Sequence, residues 1–403
     1  MKAKTMSKKQ GIYFAVCNVV AGLGNYLFQL DASHSLSLVE FGTFTSWIAQ
    51  VSTVMSLAMF FNYFSNFIEL SDRTVTMLCL GTLALGGFGL STALLAEISI
   101  PLLFAGFVAI VLRLTFSWVD GQIQRRLLFY ALGTSITIKT ATKLIIPRFE
   151  TLFASLVDLY AWAFAVCLLP AAIFSIAVVT FQFTEKHQQQ TLAKESKSKG
   201  PVVAMAIAAM LLSFCSVVTP QLDILVVNWT QDSETLGHFS RVSLIFKALF
   251  FGLSIGASWL LPFQIQAVQQ GRDTFDFFTG LNFRGIFLVS GLLIAAMTTL
   301  IAPPLLKLML GFDMTAYRLW VFLSCATIIG RLGMFLLVQQ YCAGVHIRPV
   351  AIASVILLLE LVVFSLLPID VTTYLAIMAA INIAIFFVLP FFEGPRPQPV
   401  TTD

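Results

Sequence analysis

Apolar residues run through this chain in blocks of about 20, long enough for an α-helix to cross a hydrocarbon layer roughly 30 Å thick. The blocks predict helices over 11–30, 38–66, 74–97, 99–119, 127–147, 151–182, 201–228, 235–263, 283–303, 316–344, 349–368 and 371–392, twelve in all. Short polar breaks join them, with one exception. The connection over 183–200 is rich in Gln, Ser and Lys, has almost nothing apolar to bury, and reads as a linker. It divides the chain into an N-terminal six-helix lobe, 1–182, and a C-terminal six-helix lobe, 201–403. The predicted fold is an all-α integral membrane protein. Its first block follows a basic start without a short apolar stretch and small-residue cleavage site, so it reads as a retained span. After the ninth block, Ala302-Pro303-Pro304 is expected to stop the helix, leaving an apolar turn at the outer interface.

Composition agrees with this reading: 58% of the 403 residues are hydrophobic, 11% are charged, and the mean hydropathy is +0.89. Lys and Arg concentrate in the termini, the midpoint linker and the loops on the same side, among them Arg73, Arg125, Arg126 and Arg272. The opposite side receives Lys143, Arg148, Lys307 and Arg318. That bias puts both termini in the cytoplasm and accounts for the net charge of +4, so nucleic acid is not an expected partner. The six cysteines stand singly in apolar blocks with no CxxC or Cys/His cluster, which reads as small hydrophobes and neither a disulfide framework nor a metal site. The four histidines sit in or beside loops, His238 after Gly237 being the best placed of them to carry a proton. No HExxH, GxSxG, phosphate-loop or paired-carboxylate signature occurs, and no cofactor is expected.

The two halves read as copies. Glu40-Phe41-Gly42-Thr43-Phe44-Thr45 opens the second block, and Thr235-Leu236-Gly237-His238-Phe239-Ser240 opens the eighth. Six helices per half implies repeats of equal orientation, related by a pseudo-two-fold axis along the membrane normal. Polar positions recur at the helical period on the first two helices of each half: Asn18, Gly22, Asn25 and Gln29; Ser46, Gln50 and Thr53; Ser216 and Asp223; Ser243, Lys247, Ser254 and Ser258. A shared polar lining of this kind is what a central cavity requires.

Ionisable residues inside spans are costly and mark functional positions unless they are paired. Here they are Arg113, Lys139, Lys143, Asp158, Asp223, Arg241, Lys247, Arg331 and Glu360, six cations against three acids. For each a structural reading stands beside the functional one. Lys143 is near an outer end and long enough to snorkel, Arg113 shares a face with Asp120, Arg331 and Glu360 suit a buried ion pair, and Asp158 and Asp223 suit the interface. Lys247 is the deepest cation. The cationic excess points to an anionic substrate, because ammonium and guanidinium groups bind phosphate oxygens strongly in low dielectric.

On the two Gly-Phe motifs, on Asp223 preceding the second, on the Leu305-Leu306-Lys307-Leu308-Met309-Leu310-Gly311 turn and on the two six-helix lobes, the chain resembles polysaccharide flippases of the Wzx/PST type. Their superfamily also holds the lipid II flippase MurJ and the MATE exporters. The resemblance implies alternating-access transfer of an undecaprenyl-diphosphate-linked oligosaccharide across the bacterial inner membrane, alongside other polysaccharide-assembly proteins. It gives Arg241, Lys247, Arg113, Lys139, Arg331, Asn25 and Gln50 to the substrate, and Asp223 and Glu360 to coupling with a proton or sodium gradient. The first span carries asparagines where MurJ carries basic residues, and the two extra C-terminal helices expected of MurJ are not seen, which counts against lipid II itself as the expected cargo. Two alternatives stand beside this reading: a MATE-like small-molecule antiporter, and, from another class, a membrane glycan polymerase or ligase. Outer loops of only about 4–13 residues weigh against the polymerase.

Overall fold

The structure, a computed structural model, describes residues 8–67, 81, 99–125, 128–153, 155–186, 202–250, 281–343 and 346–392. The expected third span, most of the midpoint linker, the end of the eighth span and the loop after it lie outside the described residues. Among those described, seven helices are long and apolar enough to cross a membrane, and a bent pair makes an eighth. The all-α, multi-pass architecture predicted from hydropathy is the one observed.

The helices are α1 (Lys8–Ser35), α2 (Leu38–Phe67), α3 (Ile100–Arg125), α4 (Phe129–Ile145), α5 (Leu156–Val166), α6 (Leu168–Lys186), α7 (Val202–Val218), α8 (Leu222–Thr230), α9 (233–250), α10 (Leu281–Leu310), α11 (Arg318–Ala343), α12 (Ile347–Leu366) and α13 (Val371–Val388). They form two compact units. One comprises 1–36 and 47–213, the other 37–46 and 214–403. In the first unit α1 lies along α4, and α3 packs on α5 and α6. Val119, Ile123, Phe129, Leu132 and Val179 form one core cluster there, and Trp47 donates its indole N–H to the Leu102 carbonyl at 2.9 Å.

In the second unit α11 is the centre: 83% of its most apolar window is buried, against 11% for α10, whose flank is left for lipid. Two glycines let α13 lie directly on α11. A Cβ on Gly330 would fall 2.9 Å from the carbonyl carbon of Asn382, and one on Gly333 would meet the Phe386 ring at 2.8 Å. This contact brings the polar face of α13 against Arg331, the residue after the first of these glycines.

Three predicted elements differ in ways that have physical causes. The block over 201–228 is not one straight helix: it breaks at Thr219–Gln221, and its two parts are bent by 58°. Pro220 removes the N–H that would meet the Ser216 carbonyl, and its ring crowds the preceding turn. The block over 151–182 carries a turn at Cys167, three residues before Pro170. By contrast Pro303 and Pro304, expected to end the ninth helix, sit inside α10, which runs on to Leu310 and stops at Gly311 with φ +72°. Ending that helix among lipid tails would strand several backbone groups, whereas carrying two prolines forfeits only two hydrogen bonds.

The two Gly-Phe motifs meet in the second unit. A Cβ on Gly42 would stand 3.1 Å from the Gly237 nitrogen, and one on Gly237 would stand 2.5 Å from the Leu38 carbonyl oxygen. Phe41, Phe44 and Phe239 around this crossing are fully buried.

Candidate functional site

The bend at Pro220 sets Asp223 in the first turn of α8, where the helix N-terminus favours a carboxylate. Sequence left Asp223 between an interfacial and a coupling position; beyond the 58° break it is buried to 1% exposure. From α11, Arg331 meets it with both arms of the guanidinium: Nη1 donates to Oδ2 and Nη2 to Oδ1, each at 2.8 Å. Tyr374 of α13 donates its hydroxyl to Oδ1 at 2.6 Å. Arg331 Nη2 also reaches Glu360 Oε2 of α12 at 3.3 Å, and Nη1 lies 3.4 Å from the Thr219 carbonyl at the bend. Met378 Sδ, one turn along α13, completes the shell 3.6 Å from Nη2.

Arg331 and Glu360 thus form the ion pair that their positions suited, but the stronger partner is Asp223. The guanidinium that was assigned to substrate is committed to two carboxylates of its own chain, as the paired reading anticipated. Arg331 is fully buried and Glu360 is 3% exposed. Two acids against one guanidinium at contact distance leave the cluster short of positive charge. Lys247, on α9, is 2% exposed, acts electrostatically on Asp223, and makes no hydrogen bond or ion pair among the described residues. Three further members were missed. Tyr374, Met378 and Asn382 recur every four residues on one face of α13, a stripe readable at the helical period.

The first unit holds a second charged group. Arg113 and Lys139 each lie 5.5 Å from the centroid of the Phe116 ring. Lys143 does not snorkel: its ammonium donates to Asn25 Oδ1 at 3.0 Å and stands over the rings of Phe28 and Phe164 at 4.9 and 4.5 Å. Those faces offer partial negative charge, which replaces water around the ammonium. Asn25, expected on a cavity wall, is therefore already in use. Asp120 accepts from Ser175 at 3.4 Å, and Ser175 meets Ser135 at 2.8 Å, while Arg113 and Lys139 act on Asp120 through their charge. Gln50 is half-buried on α2 with Oε1 lacking a donor.

At the start of α9, Arg241 is half-buried with its guanidinium carbon 3.6 Å from the centroid of the Phe312 ring. His238 stacks on Tyr317 at 4.8 Å and stands 3.9 Å from Glu234. In the neighbouring loop Asp313 receives Lys307 at 2.6 Å and the hydroxyl of Thr315, and these bonds hold its carboxyl well below the usual carboxylate range. Asp158 stays half-buried in the first turn of α5. Ser254 and Ser258, the far half of the α9 polar stripe, lie outside the described residues. Among the described residues no three His, Cys, Asp or Glu side chains gather as a metal site would require.

No family model and no curated protein sequence matches this chain. Solved structures do. An inward-facing multidrug resistance MATE family transporter of the MOP superfamily superposes with a TM-score of 0.59 at 10% identity, covering 94% of this chain and 97% of that one. A mutant of the Vibrio cholerae MATE transporter VcmN gives 0.52 at 16% identity, with 96% and 95% covered. The eukaryotic MATE transporter AtDTX14 gives 0.51 at 12% identity, with 94% of each chain covered. At such identities the likeness is one of fold: the chain has the fold of MATE transporters over nearly its whole length.

Proposed function

We propose that this chain is a secondary transporter of MATE-like type, an antiporter that exchanges its cargo for a cation through alternating access. The observation that carries the reading is the buried Asp223–Arg331–Glu360 cluster at the broken α7–α8 span. A charge in the hydrocarbon region costs several kcal/mol, and a set of three with a bend beside it is characteristic of a coupling site. The shared fold with MATE transporters supports the same class. Asp223 and Glu360 then serve the coupling cation, and Arg331 ties both to the bend.

A second reading has an observation of its own. Two cations, Arg113 and Lys139, act on the carboxylate Asp120 in the first unit, and a third, Lys143, acts on both of those cations. Such an excess suits an anionic cargo, and with it the undecaprenyl-diphosphate-linked oligosaccharide of a flippase in the bacterial inner membrane. Reconstituted vesicles separate the two. Under an imposed cation gradient, gradient-dependent uptake of a fluorescent organic cation that is lost in Asp223→Asn supports the antiporter. Uptake indifferent to that substitution refutes it. Saturable binding of a prenyl-diphosphate glycan, weakened by Arg113→Ala with Lys139→Ala, favours the flippase instead.

A further inference from the structure

Arg241, near the start of α9, is a cation that no described residue neutralises. Its guanidinium carbon lies 3.6 Å from the centroid of the Phe312 ring, a contact that replaces some hydration but takes up none of the N–H donors. Nε is enclosed without an acceptor, and the terminal nitrogens hold no hydrogen bond or ion pair among the described residues. The acids at hand are already engaged. Asp313, next to Phe312, receives Lys307 at 2.6 Å and the Thr315 hydroxyl, while Glu234 stands 3.9 Å from His238. Arg241 acts electrostatically on His238, and among the described residues no acid acts on Arg241. Arg318, exposed in the first turn of α11, likewise holds no hydrogen bond or ion pair among the described residues.

We infer that Arg241 anchors a site for the phosphate of an anionic phospholipid, seated where the lipid-facing flank of α10 ends. The site is separate from the cluster at the α7–α8 bend and does not depend on which cargo is carried.

The occupant follows from what adjoins the guanidinium. Ile301, Leu305 and Leu308 are exposed and recur on α10 at the helical period, an apolar stripe of the kind that acyl chains cover. The helix ends at Leu310, and Phe312, two residues on, carries the ring against which Arg241 lies. Chains laid along the stripe therefore bring a headgroup to the level of the guanidinium. Tyr317 stacks on His238 at 4.8 Å and meets Trp320 at 4.9 Å. Rings of this type gather where hydrocarbon gives way to headgroups. Guanidinium receives phosphate through two parallel N–H···O bonds, which are stronger in a partly dry site than in water.

The surrounding charges set the selectivity. A zwitterionic headgroup brings an ammonium with its phosphate, and that ammonium would find Arg241 and Arg318 uncompensated while Asp313 is held by Lys307 and Thr315. A headgroup of net negative charge brings no such group. Phosphatidylglycerol is thus favoured over phosphatidylcholine.

The test uses the full chain in detergent micelles, titrated with phosphatidylglycerol or phosphatidylcholine, with the lipid-bound fraction read by native mass spectrometry. Wild type is expected to hold phosphatidylglycerol about tenfold more tightly, the size of one charge-assisted contact. Arg241→Gln should bring the two lipids level, and Arg241→Lys should keep part of the preference; the melting temperature without added lipid checks that each variant is folded. Should Arg241→Gln not fold, wild type with phosphatidylglycerol carrying a photoreactive headgroup supplies the readout. Cross-links are then expected on the segments 238–241 and 312–318, suppressed by ordinary phosphatidylglycerol and not by phosphatidylcholine. Equal retention of the two lipids by wild type, an undiminished preference in Arg241→Gln, or cross-links confined to other segments overturns the proposal. Displacement of phosphatidylglycerol by soluble glycerol phosphate would assign the site to a free phosphate ester and overturn the lipid as occupant.

Discussion

Removing Arg331 should destabilise the second unit more than removing the charge of Asp223, although the two form one bidentate pair. Deleting one member of a buried ion pair costs about 3–5 kcal/mol, because the partner is left charged and dry. In Asp223→Asn, Arg331 keeps Glu360 at 3.3 Å as a counter-charge, so the loss falls at the low end, about 3 kcal/mol. In Arg331→Met, two carboxylates within one cluster lose their contact cation together, and only the unbonded Lys247 acts on either, so the loss approaches about 5 kcal/mol. The double variant leaves only Glu360 without its counter-charge and should cost about 2–3 kcal/mol less than the sum of the singles, the size expected for groups in direct contact. Equilibrium unfolding in bicelles, followed by tryptophan fluorescence, gives the four free energies of the cycle. Additive losses, or a larger loss for Asp223→Asn, would refute the assignment of Arg331 as the shared counter-ion.

The Gly42/Gly237 crossing makes a second prediction. Alanine in place of helical glycine gains about 1 kcal/mol in propensity, but at Gly237 the added Cβ would meet the Leu38 carbonyl oxygen at 2.5 Å and must push backbone aside, at about 1–3 kcal/mol. Gly237→Ala is therefore expected to lower the melting temperature while Gly42→Ala leaves it near wild type; equal effects would count against the close approach. A third concerns Asp370, which caps α13 by accepting from the Thr373 hydroxyl and from the amides of Thr373 and Thr372. Those bonds hold its carboxyl below the usual range. With the folded value below the unfolded one, at about 4, the capping contribution is complete above about pH 4 and is lost as pH falls through the folded value. Amide exchange in the first turn of α13 should accelerate in that acid range in wild type, and be fast and pH-flat, after correction for intrinsic rates, in Asp370→Ala.

How much of the fold could be read in advance depended on whether a rule involved the solvent or the neighbours. Hydropathy found the spans because lipid imposes the same demand on every one of them. The prolines show the other case. Pro220 breaks its helix and Pro303-Pro304 do not, although the chemistry of the residue is the same. At the first, the α11 guanidinium reaches the Thr219 carbonyl and so helps satisfy a bent backbone. On α10, of which only a small share is buried, continuing the helix is the cheaper course. A proline's effect in a membrane span is a property of what lies across from it.

The candidate site divides along the same line. The acids and cations were all visible as charges in apolar blocks, and the Arg331–Glu360 pairing followed from their being on consecutive helices. That Asp223 takes the guanidinium in preference depends on Gly330, which lets α13 close on α11 and carry Tyr374 to the same carboxylate. Nothing in local sequence distinguishes this glycine from the others in apolar blocks. Once Asp223 holds two guanidinium bonds, Glu360 is left with one, and the difference between the two buried acids arises from that sharing. Both carboxylates read alike as acids in apolar blocks; the packing of one helix on a glycine makes one a bidentate counter-ion and leaves the other on a single, longer guanidinium bond.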